Sequence, residues 1–435
     1  MSEAAIFLIV VLFLLLLSST PIAVALGLVS FAYFYYYTTI PPLTQVPETL
    51  FNALNTFPLM AIPFFVLAAT IMSRGGISKR LIDAANAAVG SFQGGLAMTA
   101  VLSCMFFAAI SGSSPATVVA VGTLLIPAMI KSGYSRDFST GLISTSGSLG
   151  ILLPPSIPLI VYGIVTEQSI GDLFIAGVVP GIMAGLMLLA LVLIISWRRD
   201  YRAEESVQQM SMGQRVRAFW SATLSLLLPI IVLGGIYGGY FTPTEAAAAA
   251  VFYALIVSLV FYREIGIKDL PRILLRSART SAMIMFIIAN GILFSFVLTS
   301  ERIPREVAQV IINMDLQKWA FLLLINLILL IVGCFMETSS ALLIIAPIIL
   351  PVALELGVNP IHLGIIMVMN LEIGMVTPPL GLNLFVASGM TGMSILRIAK
   401  AALPSALVLL AALFLVTYIP EIALAFLETA EPVKD

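Results

Sequence analysis

A segment at residues 126–163, beginning IPAMIKSGYS and ending GILLPPSIPLIVYG, recurs at 350–387, from LPVALELGVN to GMVTPPLGLNLFVA. The offset is 224 positions, and no gaps are needed. Pro127 falls on Pro351, Gly133 on Gly357, Gly150 on Gly374, Pro154 on Pro378 and Pro155 on Pro379. Each copy follows a small polar cluster, SGSS at 111–114 and ETSS at 337–340. Proline donates no backbone hydrogen bond and clashes with the preceding turn, so a Pro-Pro pair interrupts a helix and frees backbone groups. Hydrocarbon cannot satisfy those groups, which must face protein or a water-filled cavity. Paired broken helices at matching places in two halves point to the binding site of a secondary transporter.

Composition agrees with such a setting. The 435 residues are 60% hydrophobic and 10% charged, with mean hydropathy +1.10, which is the signature of a polytopic protein of the lipid bilayer. A formal charge of −1 argues against nucleic acid as a partner. Cys104 and Cys334 lie in apolar stretches and read as core side chains. A single histidine, His362, argues against a His-based metal site or proton relay. The N-terminus, MSEAAIFLIVVLFLLLL, lacks a positive n-region and a clear cleavage signal and reads as a retained first span.

Hydropathy places spans near 5–20, 21–37, 57–72, 138–165, 172–196, 219–240, 244–261, 281–299, 361–388 and 403–427. Two stretches, 93–130 and 319–354, consist of apolar arms around a polar tip and read as re-entrant hairpins. The expected fold is therefore all-α, with about ten transmembrane helices, two hairpins and two broken helices at 138–165 and 361–388. Of the 21 Lys and Arg, 17 fall in one alternating set of loops; the other set holds only Arg302, Arg305, Lys318 and Lys434. By the positive-inside rule the first set is cytoplasmic and both termini are periplasmic. Each half then has five spans and one hairpin, so the second half enters from the opposite side and the repeat is inverted. The polar connector at 197–218 separates a first repeat, 1–196, from a second, 219–435. STPIAVALG at 19–27 and FTPTEAAAA at 241–249 extend the correspondence. So do the arms IPPLTQVPETLFNALNTF and YREIGIKDLPRILLRSAR, which have opposite charge character and could lie in the interface.

Ser114 reads as the N-cap of a helix from Pro115 to Ile130 whose N-terminus points at the hairpin tip, near mid-membrane. Thr338, Ser339 and Ser340 are the corresponding candidate caps in the second hairpin. Ser156 and Thr377 accompany the breaks, and Ser144, Thr145, Ser146, Ser148, Asn370 and Glu372 precede them. Half-helix N-termini carry partial positive charge and free N–H groups that suit a carboxylate. Freed carbonyls and hydroxyls suit Na⁺, a hard cation. No Lys or Arg is expected within a span or hairpin arm, so an anion at mid-membrane would depend on helix termini and co-bound cations. One such motif alone would read as helix-packing residues; two copies with hairpins read as a transport site. Glu245, Glu337 and Glu372 sit in apolar surroundings and are functional candidates, with Glu245 explicable as part of a cap. No HExxH, GxSxG or paired aspartates within a span suggest an enzyme, and a channel needs no Pro-Pro breaks beside polar tips.

The chain resembles the large membrane subunit of the tripartite ATP-independent periplasmic (TRAP) transporters over nearly its whole length. SGSSPATVVAVG, GSLGILLPPSIPLIVYG, GGIYGGYFTPTEAAA, GCFMETSSALLIIAPIILP and EIGMVTPPLGLNLFV carry the resemblance. It implies Na⁺-driven uptake of an organic acid, such as a C4-dicarboxylate or a sialic acid, across a bacterial inner membrane. It also implies a soluble periplasmic binding protein, a small four-span membrane subunit, and elevator-type transport and scaffold domains. No organic cofactor is expected. Carried over by motif, Na⁺ would be held by Ser111, Gly112 and Ser113 with Gly147, Gly150 and Pro154. A second Na⁺ would be held by Glu337, Thr338 and Ser339 with Gly374, Thr377 and Pro378. Substrate would lie among Ser113, Ser114, Pro155, Ser156, Ser339, Ser340, Pro379 and Asn383. The nearest rival is a self-sufficient Na⁺/carboxylate symporter with no binding protein.

Overall fold

A computed structural model describes residues 3–18, 20–199, 201, 211–313 and 316–427. Most of the connector and the C-terminal tail lie outside these residues. All regular structure among them is helical. The first half comprises α1 (Glu3–Leu17), α2 (Ile22–Tyr37), α3 (Pro42–Leu54), α4 (Ala61–Arg74), α5 (Ile77–Val89), α6 (Gly95–Ser111), α7 (Ser114–Lys131), α8 (Arg136–Ser146), α9 (Leu149–Leu152), α10 (Ile157–Val165) and α11 (Ile170–Arg198). The second comprises α12 (Met212–Tyr237), α13 (Pro243–Ile256), α14 (Leu270–Ser300), α15 (Ile303–Asn313), α16 (Lys318–Phe335), α17 (Thr338–Glu355), α18 (Pro360–Gly374), α19 (Leu382–Thr391), α20 (Ile395–Tyr418) and α21 (Glu421–Leu424). Nine helices among the described residues are long and apolar enough to cross a membrane, and the bent pair Arg136–Leu152 and Ile157–Val165, at 43°, makes a tenth.

The first-half arm forms α3, whereas its second-half counterpart differs from expectation. Residues 270–300 form one helix of 31 residues instead of an interfacial arm followed by a span. Pro271 stands in the first turn, where its missing N–H costs nothing, and no further proline follows before Ser300. Arg272, Arg276 and Arg279 therefore lie on α14 itself. α5 and α15 are further helices that hydropathy did not single out. Both are amphipathic rather than uniformly apolar, so a window seeking membrane spans passes over them.

α8 and α18 occupy the centre, with Phe138 through Ser146 and Ile361 through Gly374 buried. A helix buried on every side shows no apolar stripe. α8 carries many hydroxyls, and it returns several to carbonyls one turn back: Ser139 to Ser135 at 3.0 Å, Ser144 to Thr140 at 2.8 Å and Thr145 to Gly141 at 3.0 Å. The half-helices after the breaks cross over between repeats. α10 packs against α17, the inner arm of the second hairpin, and α19 packs against α7, the inner arm of the first. A second, smaller apolar cluster joins α1, α2 and α14 through Leu8, Leu26, Val29, Phe294 and Val297.

Candidate functional site

The first hairpin turns at Gly112, in the left-handed region at φ 57°. A Cβ there would come within 2.7 Å of the Pro155 carbonyl, so glycine both makes the turn and lets the tip touch the first break. The Ile157 N–H donates to the Gly112 carbonyl across that contact, at 3.5 Å. The N-cap of α7 is Ser113, which makes no side-chain capping bond, while Ser114, expected as the cap, is the first helical residue. Its hydroxyl is thereby turned away from capping, and it accepts from Asn383 Nδ2 at 2.6 Å. Ser111 Oγ lies 3.0 Å from Thr117 Oγ1, which donates to the Ser113 carbonyl at 2.9 Å.

In the second hairpin the cap is Glu337, not Thr338, Ser339 or Ser340. Its Oε2 accepts from the Ser340 N–H at 3.1 Å and the Ser340 hydroxyl at 3.4 Å, and its Oε1 accepts from Ser339 Oγ at 3.0 Å. A carboxylate is favoured there by the free N–H groups and the helix dipole. The offset of 224 relates Ser113 to Glu337, Ser114 to Thr338 and Ser148 to Glu372. Thr338 Oγ1 donates directly to Glu372 Oε1 at 3.1 Å. In the first half the equivalent pair is bridged by Asn383 of α19, whose Nδ2 donates to Ser114 Oγ, to Ser148 Oγ at 3.2 Å and toward the Ser144 carbonyl at 3.4 Å. Thr338 Oγ1 also lies 3.2 Å from Met375 Sδ, and the Asn383 N–H donates to the Met375 carbonyl at 3.1 Å, so the two clusters adjoin.

Several buried oxygens have no hydrogen-bond partner, among them Asn383 Oδ1, Glu372 Oε2, Asn370 Oδ1, Ser146 Oγ and Thr140 Oγ1. Leaving buried polar atoms unpaired is costly. Asn383 Oδ1 and Glu372 Oε2 stand at the adjoining clusters, and such an oxygen donor set fits a hard cation.

The remaining expected residues sort by environment. Gly374 mediates a close backbone approach: a Cβ on it would lie 3.0 Å from the Cys334 nitrogen and closer still to Gly333. A Cβ on Gly150 would meet Thr117 Oγ1 at 2.9 Å, and one on Gly147 would strike the Val118 side chain. Pro154, Pro155 and Ser156 are buried, and Ser156 caps α10 by accepting from the Leu159 N–H. Pro378 and Pro379 are exposed, while Thr377 is half-buried and returns its hydroxyl to the Ile373 carbonyl at 2.8 Å. The Gly381 N–H ties the second break to its own hairpin through the Cys334 carbonyl, at 3.0 Å. Ser144 and Thr145 return their hydroxyls to their own helix, whereas the Ser148 hydroxyl joins the bridge. Glu245 forms a reciprocal capping box with Thr242, as the TPTE spacing allows.

Sequence reasoning passed over Asn326, a lone polar residue in LLLINLILL. It accepts from Asn370 Nδ2 at 2.6 Å and donates to Thr417 Oγ1 at 3.1 Å. It also missed Thr117, whose place one turn beyond Ser113 was the available signal. Sequence reasoning did not bring any cation close to the first tip, and two arginines near helix ends, in the last turn of α4 and the second turn of α14, approach it. A cavity of about 340 Å³ beside the first tip is lined by Ser111, Ser113 and Pro115 on one side and by Arg74 of α4 and Arg276 of α14 on the other.

Comparison with known proteins places this architecture. A family model described as "Tripartite ATP-independent periplasmic transporter, DctM component" matches residues 9–422. The C4-dicarboxylate TRAP transporter large permease protein DctM of Pseudomonas aeruginosa is 50% identical over 376 residues, covering 86% of this chain and 87% of that protein. Its namesake from Rhodobacter capsulatus is 45% identical over 426 residues, covering 94% and 96%. The isethionate TRAP transporter permease protein DctMQ of Oleidesulfovibrio alaskensis is 43% identical, covering 95% of this chain and 65% of that protein. Among solved structures, the Alcanivorax borkumensis YdaH transporter superposes with TM-score 0.63 at 15% identity, covering 88% of each chain. Neisseria gonorrhoeae MtrF gives 0.59 at 14% identity, covering 96% and 95%. These two likenesses are of fold alone.

Proposed function

The chain belongs to the large-component family of tripartite ATP-independent periplasmic transporters, and on that premise we propose that it is the Na⁺-coupled membrane subunit of an importer of organic acids. A C4-dicarboxylate is the favoured substrate, on the names of relatives at 45–50% identity. A soluble periplasmic binding protein delivers the acid, and a small four-span subunit completes the membrane complex in the bacterial inner membrane. The two halves form an inverted repeat whose hairpins and broken helices move as an elevator against a scaffold. Both termini face the periplasm, by the charge distribution.

One observation carries the reading. At the crossing of the repeats, Asn383 bridges the first hairpin and the first break, and unpartnered Asn383 Oδ1 and Glu372 Oε2 are buried at that junction. Among the described residues no three His, Cys, Asp or Glu side chains gather around a metal-sized space. The donors are hydroxyls, amides, carbonyls and single carboxylates, a set that suits Na⁺ better than a transition metal. Sodium neutralises the carboxylates and lends positive charge to the neighbourhood of the acid. Bringing two charged species through together lowers the penalty of moving the anion into a low-dielectric space.

The test is uptake of labelled succinate by proteoliposomes holding the large and small subunits, with and without the binding protein. Uptake should need both a Na⁺ gradient and the binding protein. Uptake undiminished without the binding protein would favour the self-sufficient symporter. Uptake driven equally well by a proton gradient alone would overturn the Na⁺ coupling.

A further inference from the structure

We propose that Arg74 and Arg276 form an anion-binding vestibule through which the carboxylate substrate leaves the first hairpin tip for the cytoplasm. The inference deepens the transport reading and rests on it. The cavity beside the tip has walls from α4 and α14 that match in mirrored order. On α4 the lining residues Val66, Thr70 and Arg74 succeed one another at four-residue spacing. On α14 the order is Ile284, Thr280 and Arg276, at the same spacing. Residues four apart share one helix face, so each wall carries an arginine at one end, a hydroxyl in the middle and an aliphatic side chain at the other. Ser111, Ser113 and Pro115 of the hairpin face them. Among the described residues lining the cavity, none is acidic.

Both arginines belong to the 17 cations of the face taken as cytoplasmic. Topology alone requires only that cations stand on that side; it does not require two of them to converge on a cleft ending at the polar tip. Arg272 and Arg279 of the same helix satisfy the topological demand without lining the cavity. Two guanidinium groups in one low-dielectric cleft concentrate anions, and each can grip a carboxylate through paired N–H donors. A volume of about 340 Å³ accommodates a small dicarboxylate. The cations stand outside the buried oxygen cluster. They therefore act on the acid as it departs, and on the reverse reaction, rather than on its capture with Na⁺.

The experiment uses the complete transporter in oriented proteoliposomes, with succinate as probe. Arg74→Gln and Arg276→Gln, singly and together, are compared with Arg272→Gln and Arg279→Gln. One readout is the half-saturating succinate on the cytoplasmic face, from exchange. The other is protection by succinate of Thr280→Cys against a thiol reagent, in a Cys104→Ala, Cys334→Ala background. Each vestibule variant should raise the cytoplasmic half-saturating concentration about tenfold or more, the worth of one charge-assisted hydrogen bond, and should weaken protection. Half-saturation from the periplasmic face should change little. Arg276→Lys should recover part of the loss, and the two controls should behave as wild type. Unchanged cytoplasmic affinity in the double variant would overturn the proposal, as would equal losses in Arg272→Gln and Arg279→Gln. If wild type neither imports nor exchanges succinate, yet succinate protects Thr280→Cys in an Arg276-dependent way, the vestibule stands and the transport reading falls. Absence of protection as well removes both.

Discussion

Asn383→Leu separates a cation site from mere packing. Leucine matches asparagine in number and branching of side-chain heavy atoms and is the larger of the two, so the substitution removes an amide without opening a void. The lost bonds run to Ser114 Oγ at 2.6 Å and Ser148 Oγ at 3.2 Å, with a longer approach to the Ser144 carbonyl at 3.4 Å. The last exceeds the usual N–H···O range of roughly 2.7–3.2 Å and is discounted. Two neutral bonds at about 1 kcal/mol each give about 2 kcal/mol. At about 1.4 kcal/mol per factor of ten, that is about thirtyfold in the folding equilibrium. The freed Ser148 hydroxyl can turn to a carbonyl one turn back, as Ser139 and Ser144 already do, whereas Ser114 begins α7 with no turn behind it, so the cost is at least that figure. Asn383 Oδ1 disappears as well. If it holds Na⁺, the half-saturating Na⁺ for succinate uptake should rise about tenfold or more, the worth of one polar contact to a charged group, and Na⁺ should no longer raise the thermal midpoint of the purified protein. Asn383→Asp keeps the Oδ1 acceptor and replaces the Nδ2 donor with a second acceptor, to which the Ser114 and Ser148 hydroxyls can donate, so it should retain more of the Na⁺ response than leucine. A leucine variant that folds, transports and shows the wild-type Na⁺ curve would refute the assignment of this junction.

Replacing external Na⁺ by K⁺ should abolish uptake, and uptake should generate a membrane current. Gly374→Ala should be more damaging than Gly150→Ala. The new Cβ meets the Gly333 backbone in one case and the movable Thr117 hydroxyl in the other, so the first should cost about 1–3 kcal/mol by overpacking; thermal unfolding of the two variants decides. Glu372→Gln should weaken Na⁺ activation more than the matching Ser148→Ala, because only one member of that pair brings a carboxylate. Equal effects on the Na⁺ curve would count against the charge argument. For sidedness, Ser169→Cys should react with an impermeant thiol reagent from the periplasm. Ser206→Cys, in the connector and outside the described residues, should react only from the cytoplasm.

The hairpins, the two breaks and the repeat were legible because each depends on local chemistry: proline removes a donor, glycine turns the chain, and apolar runs end at polar tips. Partner choice across the repeats was not. Asn383 reads as one amide after a Pro-Pro pair, and nothing nearby indicates that its acceptors, Ser114 and Ser148, belong to the other half. Caps were misplaced by one position or more for a related reason. Serine looks the better cap on propensity, but Ser114 is engaged by the distant asparagine and Glu337 reaches the free N–H groups with a longer arm. The arginine-lined cavity was hidden by a misjudged helix start: Arg276 read as part of an arm while α14 runs unbroken from Leu270.

The crossing of α10 onto α17 and of α19 onto α7 also has a consequence during synthesis. Ser114 and the asparagine that engages it are 269 residues apart. At about 5–20 residues per second, the first hairpin waits roughly 15–50 s for its partner to leave the ribosome. During that interval the exit machinery holds a half-built clasp whose polar inner edge has no mate. The first half should therefore remain degradable until α19 arrives. Two fragments divided at the connector and made together should recover a working whole, while either made alone should be destroyed.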